Sequence, residues 1–134
     1  MVMNDAQLQL RDRPKRVRKV LFVCTGNICR SPTAEGVFSA LVARAGLADV
    51  ITADSAAIRG YHVGKPPDPR AITHAGRRGY DLSNLRARRL DAADFQCFDL
   101  LLACDKWHHR VLRRRAPRDA HGRVAMLLDY APEL

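Results

Sequence analysis

Residues 17–32 read Val-Arg-Lys-Val-Leu-Phe-Val-Cys-Thr-Gly-Asn-Ile-Cys-Arg-Ser-Pro. The apolar run that ends at Val23 has the length and β-branched content of a buried strand. It stops at Cys24, and a short loop leads to Arg30 and then to Ser31-Pro32. Gly26 and Asn27 tolerate left-handed backbone. Backbone of that kind turns successive N–H groups inward around an anion. The stretch therefore predicts an oxyanion cradle with a cysteine at its floor. The Cys-to-Arg spacing alone is weak, because short motifs recur by chance. It recurs here from Cys104 to Arg110. That second interior, Asp105-Lys106-Trp107-His108-His109, has no glycine and reads as a helix start.

The residues after the loop strengthen the first match. Ser31 suits an N-cap and Pro32 the first helical position. Apolar residues at 34, 37, 38, 41, 42 and 45 repeat with a helical period, and Gly46 suits the stop. This predicts a helix over 32–45 whose N-terminus points its free N–H groups and partial positive charge into the loop. With Arg30 beside it, such a field lowers a thiol from about 8.5 to roughly 3.5–7.5, so Cys24 is expected to be a thiolate at neutral pH. The planar fork of Arg30 suits two phosphate oxygens at once.

Strands are expected at 18–23, 50–54, 86–90, 98–103 and 123–127, and helices at 32–45, 69–79, 91–95 and 105–115. That alternation predicts the α/β class: a single-domain open parallel sheet with helices on both faces and the phosphate-binding loop after strand 1. The domain is expected over 17–134, behind a flexible leader at 1–16. The chain has 134 residues. It holds no apolar run long enough for a membrane span, and its first residues lack the apolar core of a secretory signal. Four cysteines, two of them in a loop that needs a free thiol, point to the reducing cytoplasm. The net charge of +9 comes mostly from arginine, clustered at 77–78, 86–89 and 113–115. Few aromatics interleave with it and no nucleic-acid motif is present. The charge reads as a solvated basic surface that draws anionic substrates, without specific nucleic-acid binding.

Val-Cys-Thr-Gly-Asn-Ile-Cys-Arg-Ser-Pro resembles the active-site loop of the low-molecular-weight protein tyrosine phosphatases. The resemblance runs from residue 17 to 130, through Thr52–Ala57, Tyr61–Arg70, Arg86–Leu90 and Phe98–Asp105. It implies hydrolysis of phosphotyrosine proteins or small aryl phosphates through a cysteinyl phosphate. Cys24 would be the nucleophile. Arg30 and the main chain of Thr25, Gly26, Asn27, Ile28 and Cys29 would hold the phosphoryl oxygens. Ser31 would donate to the leaving thiolate, Asn27 would shape the loop, and Ser55 would support Asn27. Cys29 would trap Cys24 as a reversible disulfide. Tyr61 would form an aromatic wall at the mouth, and Asp105 would tie down Arg30. Phosphate and other oxyanions would inhibit. The resemblance implies no cofactor and no metal; Cys104 and His108 share a helix face, but no third or fourth zinc ligand stands at the usual spacing.

Two departures stand out. The family carries its general acid in an Asp-Pro-aromatic-aromatic segment, whereas this chain closes Leu128-Asp129-Tyr130-Ala131-Pro132-Glu133-Leu134, with no proline after Asp129. The expectation is a domain whose C-terminal part is missing and whose activity is impaired, by roughly 10²–10⁴ for a lost acid. Leu85 also stands where the family often has a histidine. Two alternatives share the fold. One is an arsenate reductase relaying a disulfide through Cys97 and Cys104; the other is a non-catalytic phosphate-binding relative.

Overall fold

The computed structural model describes residues 16–131. Its elements are β1 (Lys19–Cys24), α1 (Arg30–Arg44), β2 (Thr52–Ala57), α2 (Pro69–Arg77), α3 (Asp94–Cys97), β3 (Leu100–Ala103), α4 (Lys106–Arg115) and β4 (Arg123–Met126), then a 3-10 turn at Leu127–Tyr130. The four strands form one sheet in the order β2-β1-β3-β4, and every pairing is parallel. The expected leader falls on residues of which 1–15 lie outside the described ones.

β1 is buried from Val20 to Cys24, as a central parallel strand must be when helices cover both its faces. Alternate residues take opposite sides. Leu21 and Val23 pack with Ala56, Leu101, Ala103, Phe95 of α3 and Leu112 of α4. Val20 and Phe22 pack with Leu100, Leu102 and the α1 residues Ala34 and Phe38. The predicted two-sided α/β architecture is thus the observed one.

Strand order fixes where the site falls. The chain leaves β1 through α1 to reach β2 on one side. It leaves β3 through α4 to reach β4 on the other. The carboxyl ends of β1 and β3 therefore face a crevice between diverging connections, where open α/β sheets bind ligands. Cys24 ends β1, and Cys104-Asp105 follow β3.

Three expectations need correction. Residues 86–90 form no strand; they meet β2 at a single bridge, Ala57 with Arg89. The neighbouring main-chain groups bond elsewhere: the Arg88 N–H goes to Asn27 Oδ1 (3.0 Å) and Ala87 pairs with Gly64 and Lys65 (2.8 Å each), while the Arg88 side chain meets Asp54 (2.9 Å) and Asp94 (3.0 Å). The helix expected at 91–95 starts later, at Asp94, because the Asp94 carboxylate accepts the Asp91 N–H at 2.8 Å and closes a turn before it. Finally, α1 begins at Arg30 with Cys29 as its cap residue, and no side chain caps it. Ser31 does not serve as the cap because its hydroxyl is engaged elsewhere. At the other end the prediction holds. Gly46 has φ +74, and Gly46 and Leu47 donate back to the carbonyls of Ala43 and Val42, the paired bonds of a glycine helix stop.

Candidate active site

The loop between β1 and α1 reverses at Asn27, the one non-glycine residue with positive φ (56°) among those described. Gly26 serves a different need: a Cβ there would come within 3.0 Å of the His62 ring. The loop's carbonyls are anchored outward. Cys24, Thr25 and Ile28 accept the N–H groups of Ile58 (3.0 Å), Arg59 (2.9 Å) and Asp68 (2.7 Å). Thr25, Gly26, Ile28, Cys29 and Arg30 line, with Cys24, Tyr61 and His62, a hollow of about 240 Å³.

Cys24 lies at the floor, 3% exposed. Its thiol is held down at about 5, chiefly by a hydrogen bond from Cys104, against a burial penalty that pushes up. The Ser31 hydroxyl and the N–H groups of Ser31 and Asn27 lower it further. Cys104 moves the other way: its contact with Cys24 and its burial keep it protonated. One neighbouring thiol thus donates to a sulfur that is ionised. The two cysteines are placed by register, because Val23 pairs with Ala103 and each cysteine is the next residue along the chain.

The Ser31 hydroxyl is directed by a chain of donors. Ser31 Oγ lies 2.9 Å from Cys24 Sγ. Asn27 Nδ2 donates to Ser31 Oγ at 2.8 Å, so the Ser31 proton is left to point at the thiolate. The Asn27 amide cannot flip, because its Oδ1 accepts the Arg88 N–H at 3.0 Å. Asn27 Nδ2 also donates to Ser55 Oγ at 2.8 Å, and Ser55 donates in turn to Glu35 Oε1 at 2.6 Å. Burial raises the Glu35 carboxyl above its usual value, partly offset by the bond from Ser55. Asn27, Ser31 and Ser55 are all buried, where an unmet polar group is costly. The direction of every proton in the chain is thereby fixed.

Arg30, at the start of α1, is held through Nη1 by Asp105 Oδ2 at 3.0 Å. Both side chains are about half exposed, so this pair adds little to stability. Its effect is orientation: the guanidinium keeps a free edge toward the hollow. Asp105 also caps α4, its Oδ1 accepting the His108 N–H at 3.0 Å. Tyr61 is 69% exposed and meets the His62 ring edge-on at 6.5 Å. Cys29 is exposed at the mouth and also borders a larger apolar hollow of about 650 Å³ beside α1.

The structure therefore brings Cys24, Thr25, Gly26, Asn27, Ile28, Cys29, Arg30, Ser31, Ser55, Tyr61 and Asp105 around one crevice. Three residues take roles here that the sequence reading did not give them: Glu35, Arg88 and Cys104. Glu35 left a faint sign, one helical turn after Ser31 and on the same face. Cys104 entered the sequence reading as a relay thiol or zinc ligand, and Arg88 only as part of a basic cluster and a resembling segment.

The description "Low molecular weight phosphotyrosine protein phosphatase" matches residues 19–134. The chain belongs to that family. The low molecular weight protein-tyrosine-phosphatase of Streptomyces coelicolor is 47% identical over 116 residues, covering 85% of this chain and 70% of that protein. The crystal structure of YfkJ from Bacillus subtilis is 38% identical, with a TM-score of 0.83, covering 91% of this chain and 77% of that one. That of Vibrio vulnificus Wzb in complex with benzylphosphonate is 33% identical, with a TM-score of 0.77 and coverage of 89% and 79%.

Two positions singled out in the sequence of this low molecular weight phosphatase chain are settled by local contacts. Leu85 stands where the resemblance implied a histidine, and Ser55 has a partner all the same, because Glu35 Oε1 accepts its hydroxyl hydrogen bond. Asp129 accepts the Met126 N–H at 3.2 Å in the turn after β4 and is committed there. Cys97 ends α3 and Cys104 follows β3, so the two thiols of the arsenate-reductase alternative lie at opposite ends of a strand. No helix among the described residues is long and apolar enough to cross a membrane.

Proposed function

We propose that this chain hydrolyses phosphotyrosine and other aryl phosphate monoesters in two steps at Cys24. The observation that carries the reading is the Cys24 sulfur at the floor of the loop hollow, 2.9 Å from Ser31 Oγ, where the loop runs into the N-terminus of α1 beside Arg30. In the first step the Cys24 thiolate attacks phosphorus in line. An S–P bond forms, the P–O bond to the aryl group breaks, and the aryl oxygen takes a proton. In the second step water attacks phosphorus, the S–P bond breaks and the thiolate returns. Arg30 and the N–H groups of Thr25–Arg30 hold the equatorial oxygens, where fixed donors meet growing charge. Ser31, its proton aimed at Sγ by Asn27, eases departure of the thiolate. Benzylphosphonate bound to the Wzb relative is a tetrahedral oxyanion on a benzyl group, the shape this hollow suits. Phosphate itself competes for the hollow.

The proton for the aryl oxygen does not come from Asp129, which is held in its own turn. Without a donor at that oxygen, turnover falls as the leaving group becomes more basic. Four free thiols, one of them reactive, support a reducing compartment such as the cytoplasm.

The test is hydrolysis of p-nitrophenyl phosphate and of phenyl phosphate by the wild type and Cys24→Ser. Turnover is expected on the first, much less on the second, and none in the variant. Activity that survives Cys24→Ser overturns the nucleophile. Equal rates on the two esters mean that an acid group of the protein donates the aryl proton.

A further inference from the structure

His108 on α4 is fully buried, and neither step of the proposed reaction uses it. Its Nε2 lies 2.7 Å from Thr25 Oγ1. Its Nδ1 faces Asp105 Oδ1 at 3.0 Å but makes no hydrogen bond. It is the one such buried side-chain atom among the described residues. Asp105 Oδ1 is already occupied by the main-chain N–H of His108, and Oδ2 by Arg30. The Trp107 ring closes over the imidazole, with centroids 5.4 Å apart.

A buried nitrogen without a bond costs stability. An aliphatic side chain of similar volume would fill the space without that cost. The imidazole therefore gives the fold nothing that packing alone could not, and what it adds is the contact to Thr25. We propose that His108 is a positioning residue for the phosphate loop, clamping Thr25 to the same Asp105 that holds Arg30. The inference rests on reading the Cys24–Arg30 loop as a phosphate cradle.

The clamp works through the Nε2 hydrogen bond, and Nδ1 only faces the Asp105 carboxylate without bonding to it. With the proton on Nδ1, the ring turns a partial positive charge toward the Asp105 carboxylate, and the Nε2 lone pair accepts the Thr25 hydroxyl. Burial disfavours a charged ring and so keeps the imidazole neutral, helped by Arg30 and opposed by Asp105 and Cys24. An imidazolium would have no lone pair for Thr25. Thr25 is then fixed twice: its carbonyl accepts the Arg59 N–H at 2.9 Å and its side chain is held by His108. Its N–H, the first after the nucleophile, cannot swing away from the phosphoryl group. Through Asp105, the same element orients Arg30 on the far side of the hollow.

The experiment compares the wild type with His108→Ala, His108→Gln, Thr25→Val and the His108→Ala/Thr25→Val double variant. It reads kcat/KM on p-nitrophenyl phosphate, inhibition by inorganic phosphate, and the thermal midpoint. His108→Ala and Thr25→Val are each expected to lower kcat/KM about tenfold, the factor for one hydrogen bond at the strong end of its range. Phosphate inhibition weakens with them. The double variant is expected to be no worse than the weaker single one. His108→Gln, whose amide reaches the same point, retains activity within about threefold of wild type. Losses that multiply in the double variant, a glutamine as damaging as alanine, or a fall in thermal midpoint with kcat/KM and phosphate inhibition unchanged each overturn the clamp. If His108→Ala does not fold, Thr25→Val is compared alone and with His108→Gln: equal losses support the clamp and multiplied losses overturn it. Cys24→Ser separates the two levels. Turnover that survives it sinks the reading of the loop, whereas turnover lost with it while the His108 variants match wild type sinks only this inference.

Discussion

Ser31→Ala removes one hydroxyl from a sulfur that, with Cys104, Ser31 and Asn27 as donors, ionises at about 5. At pH 6 such a thiol is about nine-tenths thiolate, against about a thousandth for a thiol at its ordinary value near 9. A hydrogen bond to a charged group is worth about 1.5–3 kcal/mol. At about 1.4 kcal/mol per pH unit, its loss raises the midpoint by roughly 1–2 units. The Cys24 midpoint in Ser31→Ala is therefore expected at roughly 6–7, leaving between about half and a tenth of the sulfur ionised at pH 6. The assay is iodoacetamide alkylation across pH, with Cys24 followed by peptide mass, since Cys29 and Cys97 are exposed and also react. The midpoint is the quantity to read, because intrinsic reactivity rises slightly with basicity. Dephosphorylation should slow as well, and phosphoenzyme should accumulate, because the thiolate leaves without its donor. A wild-type midpoint near 9, or one that Ser31→Ala leaves unmoved, refutes the directed-proton argument.

Other positions give equally direct tests. Asn27→Gly keeps the left-handed turn at no steric cost but removes the bonds to Ser31, Ser55 and Arg88. Turnover should drop at least about tenfold, and Asn27→Ala should add about 1 kcal/mol of strain on urea unfolding; an active Asn27→Gly variant would show that the side chain is dispensable. In Gly36→Ala the new Cβ would come 2.2 Å from Leu82 Cδ2. Destabilisation of about 1–3 kcal/mol is expected, relieved in part by Leu82→Ala; wild-type stability would mean that α1 and Leu82 do not pack as described. Asp99 is held at about 2, first by His121 and then by the N–H groups of Arg18 and Lys19. Its folded value lies below its unfolded one, so its contribution is present above about pH 4 and is lost as pH falls toward 2. Asp99→Asn should be less stable at pH 7 by about 1 kcal/mol, given its partial exposure, with a flatter stability curve from pH 4 to 2; parallel curves for the two proteins would contradict the assignment.

The contiguous run from Val17 to Pro32 carried the strand, the left-handed loop residue, the helix that follows and the arginine at its start. Each is a local property: backbone freedom at Asn27, apolar period in α1, the glycine stop at Gly46. Where local rules competed with distant partners they failed. Arg88 and Leu90 sit in a strand-like pattern, but the Arg88 N–H goes to Asn27, 61 residues away, and pairing with β2 stops at one bridge. Ser31 has the chemistry of a cap, but Cys24 and Asn27 claim its hydroxyl. The sequence by itself singled out Cys24 as the proposed nucleophile and Arg30 as the arginine proposed to meet the anion. Only the tertiary structure decided that Cys104 lowers that nucleophile, that Glu35 and Arg88 set the direction of its hydrogen bonds, and that His108 holds Thr25. The reason is physical. Those contacts join segments up to 83 residues apart, as Thr25 to His108 are, and depend on parallel register and crossover hand, which side-chain chemistry along one stretch of chain does not specify.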